Sequence, residues 1–245
     1  MSSPVLTRNE NFQPHSGNGG AGLQTSGVMT IENTMQKTVG LFALLLVGAA
    51  IGWFVPILFI PAAIAGLVLG LVNAFKREPS VPLIVAYAAV EGIFVGGISS
   101  FFENQYPGVV IQATLATLVV VGVTLALFTS GKVRATPKLT KFFLIAMVSY
   151  LVFSLLNFVL MITNVTEGMY GLRSVEIFGI PLGIFIGLFA VLMATYSLIL
   201  DFTFIQNGVN NRAAEKYGWQ AGFGLMVTIV WLYLEILRLI GLSRN

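Results

Sequence analysis

Three carboxylates stand inside or at the edge of long apolar runs: Glu91 in "AAVEGIFVGG", Asp201 in "LILDFTF" and Glu235 in "WLYLEILRLI". A charged side chain at the centre of a bilayer costs about 2.5 to 3.5 kcal/mol on insertion scales, so each acid needs a counter-charge, a hydrogen-bond partner or a water path. Two carboxyl groups within hydrogen-bond reach in a poorly hydrated bundle share one proton, because burial and like charge both oppose ionising the pair. Loss of that proton leaves two like charges that repel each other and attract a divalent cation, whose preferred ligands are oxygens. Each acid also has a plainer reading. Asp201 could end a helix at headgroup level, and Glu91 could be a protonated acid bonded to a neighbouring carbonyl. Arg238, three residues after Glu235, is the candidate counter-charge for an intrahelical pair.

The faces beneath the acids favour the bundle interior. Going back from Asp201 in steps of three or four passes Ser197, Ala194, Ala190, Gly187 and Gly183, a small-residue stripe that Gly179 extends. Stripes of this kind let membrane helices approach closely. From Glu235 the same steps reach Leu232 or Trp231, then Thr228, Gly224 and Ala221, while Glu91 is followed by Gly92 and Gly96 at a small-xxx-small spacing. Asn157 reads as a single amide that glues helices together.

What must position these residues follows from composition. The 245 residues are 56% hydrophobic and 9% charged, against roughly a quarter charged in a soluble domain. Runs of about 20 apolar residues match a helix crossing a hydrocarbon layer about 30 Å thick. Backbone groups in lipid must bond within their own segment, so the fold class is an all-α membrane protein, a seven-transmembrane-helix bundle. The spans are expected at 38–55, 57–75, 81–102, 109–129, 139–163, 177–204 and 219–242, with a tight turn at Pro56 between the first two. Residues 1–29, rich in Gly, Asn and Ser, read as a disordered cytoplasmic tail, and 30–245 as the transmembrane domain. "MTIENTMQKT" (29–38) suggests a short interfacial helix. An apolar run that begins only near Thr38 is too late for a cleavable leader.

Ten of the thirteen Lys and Arg residues fall in the tail or in the connections after spans two, four and six: Arg8, Lys37, Lys76, Arg77, Lys132, Arg134, Lys138, Lys141, Arg212 and Lys216. Arg173 and Arg244 lie on the opposite side. The positive-inside rule therefore puts the N-terminus in the cytoplasm. The same rule gives the net charge of +3 and pI near 9.3 a use as loop anchors, with no nucleic-acid partner. There is no cysteine, and the single histidine, His15, is in the tail, so no thiolate or histidine metal site and no catalytic triad is expected. The Gly-x-Gly-Asp pattern of aspartyl intramembrane proteases is missing around Asp201 as well, and no catalytic residue or cofactor is assigned.

Asp201 followed by Phe202 and "FIQ", "WLYLEILRLI" in span seven, and "EG" in span three together resemble the Bax inhibitor-1 family, also called the transmembrane Bax inhibitor motif family. "MTIENTMQKT" and "EKYGWQAGFGLMVTIVWLYLEILRLIG" are similar to its bacterial branch. The resemblance implies a seven-helix bundle in the bacterial inner membrane, in which Asp201 and Glu235 on the last two helices share a proton and control a pH-sensitive leak of calcium or another cation. Glu235 departs from the aspartate usual in the family, and span two has no basic residue that could latch onto the acids. A second reading is a membrane interaction protein that modulates a membrane protease or a cell-death or stress partner. A third is a proton-coupled exchanger.

Overall fold

The computed structural model describes residues 27–166 and 170–244. Residues 1–26, and with them most of the expected tail, lie outside the described residues. Seven helices among the described residues are long and apolar enough to cross a membrane. They are α1 (Ile31–Phe54), α2 (Phe59–Phe75), α3 (Val81–Gln105), α4 (Val109–Thr129), α5 (Pro137–Ile162), α6 (Leu182–Asn210) and α7 (Tyr217–Ser243).

Local chemistry explains where they begin and end. α1 starts seven residues before the expected first span, because the Thr30 hydroxyl accepts from Asn33 N while Asn33 Oδ1 accepts from Thr30 N, both at 3.1 Å. This reciprocal cap makes residues 31–38 the first turns of one continuous helix instead of a separate interfacial one. A single 3₁₀ turn, Pro56–Leu58, joins α1 to α2 where the sequence placed a tight turn. Glu103 spans the turn into α4, its carboxylate accepting from Gly108 N at 2.6 Å and Val110 N at 3.0 Å. Thr136 caps α5, with Pro137 in the first helical turn.

The sixth span needs correction. Residues 177–181 are not helical: β1 (Glu176–Ile177) pairs antiparallel with β2 (Ile180–Pro181), and the turn between them holds Phe178 at φ 55° and Gly179 at φ 77°. Two consecutive positive φ values are what a two-residue hairpin of this twist demands. Gly179 therefore leaves the packing stripe, and a side chain there would meet nothing within 4 Å.

By contacts the chain forms two compact units, Met1–Phe101 with Leu200–Val227 and Phe102–Ile199 with Thr228–Asn245. In the first, α1 and α3 meet backbone to backbone. A Cβ on Gly48 or Gly52 would strike the carbonyls of Ala89 or Ile93, and one on Gly92 or Gly96 those of Leu45 or Ala49. The four glycines thus replace side-chain packing with direct contact of the two main chains. Tyr87 packs edge-on against Phe223 at 5.0 Å. α2 turns Ile60, Ile64, Leu67 and Val68 outward, as a lipid-facing helix does.

The end of the expected tail belongs to this unit. Met29 N donates to Ala213 O at 2.8 Å and Glu215 N to Gly27 O at 2.7 Å, so residues 27–29 strap the connection between α6 and α7. Met29 is 1% exposed, packed with Ile205, Ala213, Tyr217 and Ala221. Lys37 adds an ion pair to Glu215 at 2.9 Å. Met29→Ala should accordingly lower stability by about 2 to 5 kcal/mol, as a buried methionine truncation does. Val28→Ala, at a half-exposed neighbour, should stay within about 0.5 kcal/mol. Thermal unfolding in detergent distinguishes the two, and equal melting of both variants would remove the strap from the stability of this unit.

Candidate functional site

The second unit holds a buried polar cluster around Glu235, which is 2% exposed. Its carboxylate accepts from Tyr150 Oη, from Trp231 Nε1 at 3.2 Å, and from Arg238 Nη1 at 3.0 and 3.2 Å. Arg173 Nη1 stands 3.7 Å from the other carboxylate oxygen. Tyr150 Oη ties the basic groups together, receiving Arg173 Nη2 at 3.0 Å and Arg238 Nη1 at 3.3 Å. Glu235 lies eight residues before the end of α7, about 12 Å at 1.5 Å per residue, so the cluster is well inside the apolar length of the helix. Two guanidinium groups face one carboxylate, leaving the cluster one positive charge in excess. Within this unit the groups around the Glu235 carboxylate are Tyr150, Trp231, Arg238 and Arg173.

Arg173 comes from outside any membrane helix and is nevertheless 4% exposed. The 3₁₀ turn Gly171–Ser174 carries it in. Asn157 fixes that turn to α5: its Oδ1 accepts from Leu172 N at 2.7 Å and its Nδ2 donates to Tyr170 O at 3.3 Å. Gly171 has φ 57°, and a Cβ there would lie 2.6 Å from Asn157 Oδ1, so glycine is required on both conformational and steric grounds. The guanidinium also donates to Ser154 Oγ at 3.2 Å and lies against the rings of Tyr150 and Phe153. Arg173 Nη1 makes no hydrogen bond among the described residues.

The small-residue stripe of α6 does face protein. A Cβ on Gly183 would come within 2.6 Å of Leu242 and 2.9 Å of Arg173 Cβ, and one on Gly187 within 3.0 Å of Leu239. Ala190 and Ala194 are fully buried, and Ser197 Oγ meets Thr228 Oγ1 at 3.2 Å. Gly183 thus makes room for the seat of Arg173 as well as for α7.

In the first unit Asp201 is partly buried and sits against α7, its Oδ1 3.3 Å from where a Cβ on Gly224 would be. Glu91, also partly buried, points toward α2: a Cβ on Gly66 would be 2.9 Å from its Oε2. Tyr87, one turn earlier on α3, interacts with the same carboxylate.

A family model described as Bax inhibitor 1 like matches residues 3–245, nearly the whole chain. The chain belongs to the Bax inhibitor 1 like family. No curated protein matches it. In this Bax inhibitor 1 like protein, Glu235 and Asp201 stand on the last two membrane helices where the resemblance put them, and Arg238 forms the ion pair its spacing suggested. Arg173 and Tyr150 are the cluster residues that sequence reasoning did not single out. A signal was present for the second: Tyr150, Ser154 and Asn157 recur at helical spacing on an otherwise apolar span and so define one polar face. Arg173 had none, since a lone base in a connection ordinarily stays in water.

Proposed function

We propose that the chain is a pH-sensitive cation leak of the bacterial inner membrane, with the N-terminus cytoplasmic and calcium as the permeant ion. The observation that carries this reading is a carboxylate sealed inside a membrane-length helix and held by two guanidinium groups. With its oxygens occupied by Arg173 and Arg238 and one positive charge in excess, the cluster repels a divalent cation, and this is the closed state. Withdrawal of a guanidinium frees carboxylate oxygens of the kind calcium prefers. Asp201, packed on Gly224, and Glu91 are the further acids proposed to meet the ion. Protons and calcium compete for the oxygens of Asp201 and Glu91, so conduction rises as pH rises and those carboxyls ionise.

Arg173 supplies the test. Arg173→Gln removes one guanidinium and should raise calcium entry into liposomes several-fold at fixed pH, whereas Arg173→Lys, which keeps the charge, should stay nearer wild type. Equal flux through wild type and Arg173→Gln would mean that the cluster is structural and does not gate.

A further inference from the structure

A groove of about 410 Å³ runs along the crease between α5 and α6 in the second unit, lined by Phe142, Ile145, Ser149, Phe153, Ile186 and Phe189 among others. Its α5 residues follow helical spacing on one face, and Phe142 and Ile145 are 61% and 59% exposed, so the groove opens outward toward lipid. From Phe142 to Phe153 the helix rises about 16 Å, close to half the hydrocarbon thickness of about 30 Å. The crease is fixed at one end, where Thr140 Oγ1 and Tyr196 Oη meet at 2.8 Å and Tyr196 Oη donates to Thr136 O at 3.3 Å.

That same end is basic. Lys138 is one turn before Phe142 and Lys141 one turn before Ile145, both exposed, with Lys132 and Arg134 in the connection just before. Between Glu103 and Glu167 the chain has no acidic residue, so no side chain from that stretch neutralises these bases. An apolar channel one leaflet deep, headed by two lysines, matches a molecule with a negative head and a long hydrocarbon tail. A basic cluster beside a membrane helix draws anionic lipid headgroups in the same sense.

We propose that the crease between α5 and α6 binds one anionic glycerophospholipid, with an acyl chain in the groove and the phosphate on Lys138 and Lys141. This is a defined lipid site on the protein, and Tyr150, which also lines the groove, belongs to the Glu235 cluster as well.

The test titrates the purified full chain in detergent with dioleoylphosphatidylglycerol or dioleoylphosphatidylcholine and counts retained lipid by native mass spectrometry. Wild type should prefer the anionic lipid by about tenfold. The double variant Lys138→Gln with Lys141→Gln should lose that preference, and Ser149→Phe, which fills the groove from an exposed position, should displace both lipids. Lys76→Gln, a base on another connection, should leave the preference intact. Equal affinity of wild type for the two lipids would overturn the headgroup assignment. Undiminished binding by Ser149→Phe would overturn the groove, and an equal loss in Lys76→Gln would reduce the effect to general surface charge.

Discussion

Gly96→Ala should abolish the folded state of the first unit, while Gly122→Ala should leave the protein as stable as wild type or slightly more so. Both changes add one methyl group within a membrane helix. At Gly96 that carbon would overlap the carbonyl of Ala49 and lie 2.7 Å from Ala49 Cα, so the main chain of α1 itself would have to move. Overpacking that flexible side chains can absorb costs about 1 to 3 kcal/mol. A backbone cannot yield in that way, and Gly48 and Gly52 hold the same two helices in register from the other side. Gly122 has nothing within 4 Å of a Cβ, and there the helix propensity of alanine, about 1 kcal/mol better than glycine, decides the sign. Thermal unfolding in detergent, together with the fraction of monodisperse protein, reads both. If Gly96→Ala melts with wild type, α1 and α3 are not in direct main-chain contact.

Glu235→Gln is expected to be nearly as damaging, for an electrostatic reason. Breaking a buried pair by removing one partner typically costs about 3 to 5 kcal/mol, because the remaining charge is left uncompensated. Here two guanidinium groups would remain, bridged only by Tyr150 Oη. Adding Arg173→Gln to Glu235→Gln should restore much of the loss, since the cluster returns to a single excess charge. The double variant should therefore be more stable than the sum of the single effects allows, as residues in one network are. Strictly additive melting changes would show that Arg173 and Glu235 do not interact in the folded protein.

Much of this fold was legible because membrane helices declare themselves by length and apolarity, and the segment from Val109 to Thr129 was placed to the residue. Inward faces were legible too: the stripe from Gly183 to Ala194 is buried where the spacing put it. The start of α6 was not. "VEIFGIP" is as apolar as a span, and hydropathy does not distinguish a helix from a short hairpin whose tip, Phe178, is 99% exposed. The strap at Met29 escaped because one buried methionine after a polar stretch has no periodicity to reveal it. Glu103 caps α4, a role set by the geometry of the Gly108 turn and not by any sequence pattern. The largest gap was the partner of Glu235. Arg238 could be found by counting three residues, whereas Arg173 is 62 residues away and reaches the acid only through the clamp of Asn157 on its turn.

Calcium entry into liposomes that contain only this protein, followed across pH, tests the proposed leak most directly. Flux should be lowest in acid and rise with pH as protons leave the carboxyls that calcium must occupy. Asp201→Asn should flatten that rise, because an amide does not titrate. A flux that falls as pH rises would contradict the competition between proton and calcium. Absence of cation flux at every pH, from folded protein, would contradict the leak itself and leave a membrane protein that acts by binding a partner.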